Sequence, residues 1–234
     1  MSTTGSPTGT SVSPRVASAV EVSRTPTIDG ILDEAVWEQA KPLADFIQAE
    51  PFEGQPGSET TEVRLLYDSE AIYVGVICHD RNPSLIVTTD SRRDAALGEM
   101  DSFQMIFDTF RDQQNGFVFG TNAAGLQYDA QVRDQGNQTA SWDGSWEVRT
   151  RTTDAGWTAE FRIPLRTLRY GPPPQVWGVN FFRNIQDDRN DEGPLGLPIA
   201  RYTIPCPGGG ARASILRGEG AVRLRQPPRC STRW

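Results

Sequence analysis

The sequence predicts an all-β fold, an antiparallel sandwich with one or two short helices. Three observations carry that prediction. Apolar and polar residues alternate over short runs, the period of a strand with one buried face. The runs recur about every ten residues with Gly, Asn and Asp between them, as consecutive antiparallel strands do. The 234 residues include 22 Gly and 17 Pro but few stretches of helical period, so helices can only be brief.

Residues 1–24 are mostly Ser, Thr, Gly, Pro and Ala without periodicity, and they read as a flexible leader. No charged segment followed by an apolar core marks them as a signal peptide. Leu32, Val36 and Trp37 fall at helical spacing behind Asp29-Gly30, which predicts a short helix within Ile31–Ala40. Val63, Leu65 and Tyr67 then alternate with polar neighbours, and Asp68-Ser69-Glu70 connects them tightly to Ala71–Asp80. That second run is apolar on both faces and reads as a central strand paired with the first as a hairpin.

Alternation continues in Asp101–Thr109, Gly116–Asn122, Leu126–Val132, Trp146–Thr150, Trp157–Ile163 and Val176–Asn184. Further helical turns are expected only at Ser84–Val87 and Leu165–Leu168. One sandwich domain thus spans residues 25–184. The tail, 185–234, is irregular and rich in Gly, Pro and Arg. Residues 1–193 carry 16 basic and 29 acidic side chains, whereas 194–234 carry seven Arg and one Glu. Composition, charge and cysteine usage change together there. The tail therefore reads as a disordered basic extension or as a shift of reading frame, with the concerted change favouring the second.

Composition excludes several chemistries. An acidic body argues against nucleic acid, which needs a basic stripe. No apolar run approaches the roughly 20 residues of a membrane-spanning helix. Cys78, Cys206 and Cys230 are an odd set without a CxxC pair, so neither a disulfide framework nor a zinc site is expected. His79 is the only imidazole, and no GxSxG elbow accompanies it, so a nucleophilic triad is not expected and no catalytic residue is assigned. Asp108, Asp112 and Asn115 share one loop, which reads as a solvated turn before it reads as a cation site.

A sugar seat needs an aromatic face for the apolar side of a pyranose and polar groups for its hydroxyls. Trp142-Asp143-Gly144-Ser145-Trp146 places two indoles across a turn-like Asp-Gly, where they could flank a ring. The competing reading makes Trp146 the start of a core strand and Trp142 a plug at the sandwich end.

Thr27-Ile28-Asp29-Gly30-Ile31-Leu32-Asp33-Glu34-Ala35-Val36-Trp37 has a further significance. With Glu62–Asp68, Glu70–Val76, Asp101–Asp108 and Gly156–Pro164, it resembles the family 9 carbohydrate-binding modules of the DOMON-like superfamily. The closer likeness, in Arg92-Arg93-Asp94, Asp108-Thr109-Phe110, Asn122–Gly125, Trp142–Trp146 and Leu165–Tyr170, is to the branch found N-terminal to bacterial outer-membrane β-barrels. The resemblance implies a jelly-roll or immunoglobulin-like sandwich that binds polysaccharide or glycan chain ends without catalysis, with calcium as a structural ion in some members. It also implies a secreted, periplasmic or outer-membrane setting, with a barrel as partner.

The sugar-clamp pattern of the xylanase-linked members is not kept. Gly98, Val118 and Gly120 stand where that pattern has Trp, Arg and Asn, and Gln104 stands where it has Glu. Contacts must then lie elsewhere, and Trp142, Trp146, Arg93, Asp94, Asp101 and Asn122, on or beside inter-strand loops, form the expected carbohydrate-binding set. The alternative from another class is a structural domain packing against a barrel without binding sugar. Haem-binding cousins in the superfamily add a further reading, for which only His79 and Met100 or Met105 would be available as axial ligands.

Overall fold

Ala71–His79 is the strand around which the fold is assembled. The computed structural model describes residues 16–49, 52–134, 137–172, 175–186 and 202–206. In chain order the strands are Val20–Glu21 (β1), Thr61–Tyr67 (β2), Ala71–His79 (β3), Ser102–Asp108 (β4), Gly116–Asn122 (β5) and Tyr128–Arg133 (β6). Asn137–Thr139 (β7), Glu147–Thr153 (β8), Gly156–Pro164 (β9), Gln175–Asn184 (β10) and Tyr202–Cys206 (β11) follow. One sheet has the order β1-β2-β3-β9-β8 and the other β11-β10-β4-β5-β6-β7. All pairings are antiparallel except the short β1–β2 contact. The expected sandwich is what the chain forms.

The β2–β3 hairpin turns as expected, because the Asp68 carboxylate accepts the Glu70 and Ala71 N–H groups at 2.7 and 2.8 Å. Between the sheets, Phe103, Met105, Phe107, Phe117 and Phe119 meet Val63, Leu65, Val74, Val76 and Phe161 in one buried cluster. Each such side chain contributes roughly 1.5–3 kcal/mol over an exposed one. The alternating runs in the sequence are the inner faces of these strands.

The second apolar face of β3 has its own cover. Trp37, from the short helix Ala35–Glu38 (α1), packs with Val36, Ala40 and Val22 on Leu66, Ala71 and Tyr73. Gly75 makes the room, since a Cβ there would stand 2.5 Å from Leu32 Cδ2 and 2.9 Å from Trp37 Cζ3. On the neighbouring strand, fully buried Glu160 faces the same segment. Its Oε2 accepts the N–H groups of Asp29 (2.9 Å) and Gly30 (2.8 Å), and its Oε1 accepts the Trp37 indole N–H (2.9 Å). Gly30 needs φ +91° and lies against the Thr150 backbone, where a Cβ would come within 2.8 Å. Burial pushes the Glu160 carboxyl up to about 7, against the three N–H donors that favour its anion.

Three expectations are corrected. The leader gives way to structure before residue 25: Ala17 and Val22 are buried and β1 pairs with β2, because apolar side chains there find the hydrophobic margin of the five-stranded sheet. The helix within Ile31–Ala40 is only one turn, since Asp29–Leu32 is drawn onto the sheet by Glu160 and Gly75. The irregular tail contains a strand: β11 pairs with β10 from Val179↔Tyr202 to Gln175↔Cys206. The remainder of 187–234, and with it the reading-frame question, lies outside the described residues. Turns at Pro83–Leu85 and Leu165–Thr167 fall where they were expected.

Candidate functional site

The rim of the six-stranded sheet gathers some of the expected binding residues into a structural knot. Arg93 donates through Nη2 to Asp129 Oδ1 and Asp143 Oδ1, both at 2.5 Å, and through Nη1 to Gln127 Oε1 at 3.1 Å. Asp94, at φ 61°, lies 3.7 Å from Arg93 Nε. Buried Asp129 also accepts the Gly144 N–H (2.6 Å) and the Trp146 indole N–H (3.1 Å). Burial still raises its carboxyl, outweighing those donors and Arg93. Arg93, Asp94 and Trp146 are thus brought together, with Asp129 as a hub the sequence did not single out.

Both indoles pack on phenylalanine rings of the core. Trp146 is 8% exposed and its faces are occupied, one ring stacked on Phe161 at 5.9 Å and another set edge-on from Phe119 at 5.3 Å. Trp142 leans on Phe117 at 5.2 Å and Phe119 at 5.9 Å. Both follow the competing reading, core strand and end plug, because a large aromatic next to a phenylalanine-rich core gains more by packing than by facing water.

Asp101 and Asn122 form a second knot and are also buried. Asn122 accepts the Ala124 and Leu126 N–H groups through Oδ1, at 3.0 and 3.1 Å, and donates to the Asp90 carbonyl at 2.7 Å, so it shapes the β5–β6 turn. Asp101 Oδ2 accepts the Val87 N–H at 2.8 Å, and burial pushes its carboxyl up to about 6. Asp101 Oδ1 and Asn184 Oδ1 are buried without a partner. Burial is the larger influence on Asp101, and the nearby Arg183 charge acts against it, in favour of the anion. No group of three or more Asp, Glu, His or Cys side chains converges among the described residues.

Gln104, Val118 and Gly120 lie on the outward face of the six-stranded sheet, where Gln104 pairs with Gly120. Val118 is buried with Ala130 and Val132, and Leu97 reaches over Gly120. The face is apolar where the clamp pattern would need charge. His79 sits at the strand end beside Glu62 (3.3 Å), and the Cys78 thiol is buried and raised to about 11, which keeps it from being a reactive thiolate.

An open seat lies at the end of the six-stranded sheet. A cavity of about 320 Å³ is lined by Phe110, Asn115, Phe117, Gln131, Arg133 and Arg169, among others. Its size is at the lower bound for small-molecule sites. The β4–β5 turn holds Phe110 out at 56% exposure. That turn is built by Asp108, which accepts the Asp112 and Gln113 N–H groups, and by Asp112, which accepts those of Gln114 and Asn115. These carboxylates act as turn-forming groups, as the sequence reading of this loop expected of them. Gln131 Oε1 accepts from Arg133 Nε and Nη2 at 3.2 and 2.8 Å and fixes the guanidinium plane. The Thr109 hydroxyl donates to the Arg169 carbonyl at 2.5 Å and ties that loop to β4. The sequence reasoning missed this group, although an unpatterned Phe110 at a turn was the available signal.

A family model described as "Carbohydrate family 9 binding domain-like" matches residues 28–195. No curated protein matches the chain. Among solved structures, the chain is similar to a family 9 carbohydrate-binding module from Caldicellulosiruptor kristjanssonii in complex with glucose. The TM-score is 0.59 at 16% identity, covering 87% of this chain and 100% of that one. The same module in complex with cellotriose gives 0.58 at 16% identity, over 88% and 100%. A putative carbohydrate-binding protein from Bacteroides uniformis gives 0.64 at 12% identity, over 82% and 99%. Likeness at such identity is a likeness of fold.

Proposed function

Because the chain belongs to the carbohydrate family 9 binding domain-like family, we propose that it is a non-catalytic module that binds carbohydrate. One observation in the structure carries the reading furthest: the end cavity sets an exposed aromatic face, Phe110, among planar donors and acceptors from Asn115, Gln131, Arg133 and Arg169. An apolar plate with hydrogen-bonding groups around its edge suits a pyranose, which has an apolar C–H side and a hydroxyl perimeter. The glucose and cellotriose complexes of the similar Caldicellulosiruptor module support the same ligand class.

Among the described residues that line the seat there is no carboxylate, histidine or cysteine. Its only carboxylates in the adjoining turn, Asp108 and Asp112, are engaged by backbone N–H groups. These features support binding without bond cleavage. Affinity electrophoresis of the full chain through gels of neutral and acidic polysaccharides tests this. Saturable retardation competed by free sugar, and weakened by Phe110→Ala with the fold intact, is expected. Free migration through every polysaccharide would overturn the proposal.

A further inference from the structure

We propose that the end cavity is selective for an acidic sugar, seating the carboxylate of a uronic acid residue between Arg133 and Arg169; the inference rests on the sugar-binding reading of this same cavity. The charge of the seat runs against that of the molecule. Residues 1–193 carry 16 basic and 29 acidic side chains, yet both charged side chains lining the cavity are arginines.

Their charge is not neutralised locally. Among the described residues Arg133 makes side-chain hydrogen bonds only to Gln131, a neutral amide, and no hydrogen bond or ion pair engages the Arg169 guanidinium. Asp108 and Asp112, the carboxylates on the adjoining turn, face their own loop: Asp108 takes backbone N–H groups at 3.2 and 2.9 Å, and Asp112 Oδ2 takes Asn115 Nδ2 at 2.7 Å. Asp134 follows Arg133 but does not line the cavity. Among the described residues, two cations thus share one concave surface without a counter-ion.

Gln131 makes this arrangement more than a surplus of charge. By engaging Nε and Nη2 of Arg133, it holds the fork in a fixed plane and leaves Nη1 without a hydrogen bond among the described residues. A preorganised guanidinium plane matches the two oxygens of a carboxylate better than it matches scattered hydroxyls. Phe110 supplies the apolar face for the ring that bears the carboxylate, so one sugar residue can meet both features.

The test compares gel retardation of the full chain by polygalacturonate, by its methyl ester and by a neutral β-glucan, with dextran sulfate as a charged polymer lacking carboxylates. Polygalacturonate is expected to bind at least ~10-fold more tightly than its methyl ester, and more weakly as salt rises. Arg133→Gln and Arg169→Gln should each lose about that factor, while Arg151→Gln on β8, an equal change in net charge away from the cavity, should lose little. Melting curves establish that the variants are folded. Equal retardation by ester and acid, insensitive to the Arg variants, would overturn the acidic-sugar inference and leave carbohydrate binding standing. Equal or stronger retardation by dextran sulfate would overturn it in favour of undirected charge attraction. Failure to bind any of the polymers would remove both.

Discussion

On the outer face of the five-stranded sheet, Glu160 commits both carboxylate oxygens to the chain's own N–H groups, whereas at the end of the six-stranded sheet Arg133 and Arg169 have no carboxylate partner among the described residues. The first surface is closed by the segment carrying Gly30 and Trp37. The second is a concavity with an aromatic left in water. A polar group buried against its own chain acts on stability, because nothing else can satisfy it. A polar group held in a cavity without a partner acts on whatever enters. The contrast separates residues that maintain the sandwich from residues that give it a use.

Removing the indole would break the closed surface most severely. Trp37→Ala vacates the slot over Gly75 and strips Glu160 of one donor, and a loss of about 3–5 kcal/mol is expected from the cavity and transfer contributions together. Urea denaturation measures it directly. Glu160→Gln should cost less, about 1–3 kcal/mol, because the side-chain amide must set an N–H against one of the three N–H groups that Glu160 now accepts. A variant as stable as the parent would mean that the carboxylate does not hold the N-terminal segment.

The same carboxylate predicts a pH dependence. Its folded value, about 7, lies above its ordinary one, and Asp101 is raised in the same sense to about 6. From about pH 4 to 7 the folded chain retains protons that the unfolded chain has released, so stability is highest at the acid side of this window and falls as pH rises through it. Glu160 is only half ionised near pH 7, so the loss is complete about one unit above that. At about 1.4 kcal/mol per pKa unit the two raised carboxyls together predict a fall of several kcal/mol, followed by denaturation midpoints across the window, and Glu160→Gln should remove roughly half of it. Stability that instead rises from pH 4 to 7 would show that the three N–H donors outweigh burial at Glu160.

How much of each region could be read from the sequence follows from the same contrast. Asp29-Gly30, Trp37, Gly75 and Glu160 are far apart in the chain, but each lies in a stretch that carries the family likeness, and one hydrogen-bonded unit explains why those residue types occur together. Core strands were legible because burial imposes alternation on Phe103, Met105 and Phe107. Strand β11 was not, because an edge strand in a Gly- and Pro-rich tail is held by pairing with β10 rather than by a pattern of its own. The expected site residues were polar or aromatic and lay near loops, as binding groups do, yet Trp146, Asp101 and Asn122 are buried. Sequence position beside a loop does not reveal whether a side chain turns inward. Phe110, Arg133 and Arg169 come from the β4–β5 turn, the end of β6 and the segment leading to β10, and only the closing of the sheet end brings them to one cavity.

The smallest stability effect expected is at the open surface, and it sharpens the comparison most. Arg169→Gln removes a guanidinium that holds no partner among the described residues, and its backbone carbonyl still accepts from Thr109. The melting temperature should stay within about 3 °C of the parent, as for other surface changes. Phe110→Ala should behave alike, since the ring is 56% exposed and its loop is held by Asp108 and Asp112. Glu160→Gln should reverse the pattern, melting lower while the folded protein keeps its saccharide affinity, because Glu160 acts on the N-terminal cover and does not line the cavity. Differential scanning calorimetry and gel retardation on the same three variants would resolve the two surfaces. A melt lowered as much by Arg169→Gln as by Glu160→Gln would show that the cavity arginines belong to the scaffold.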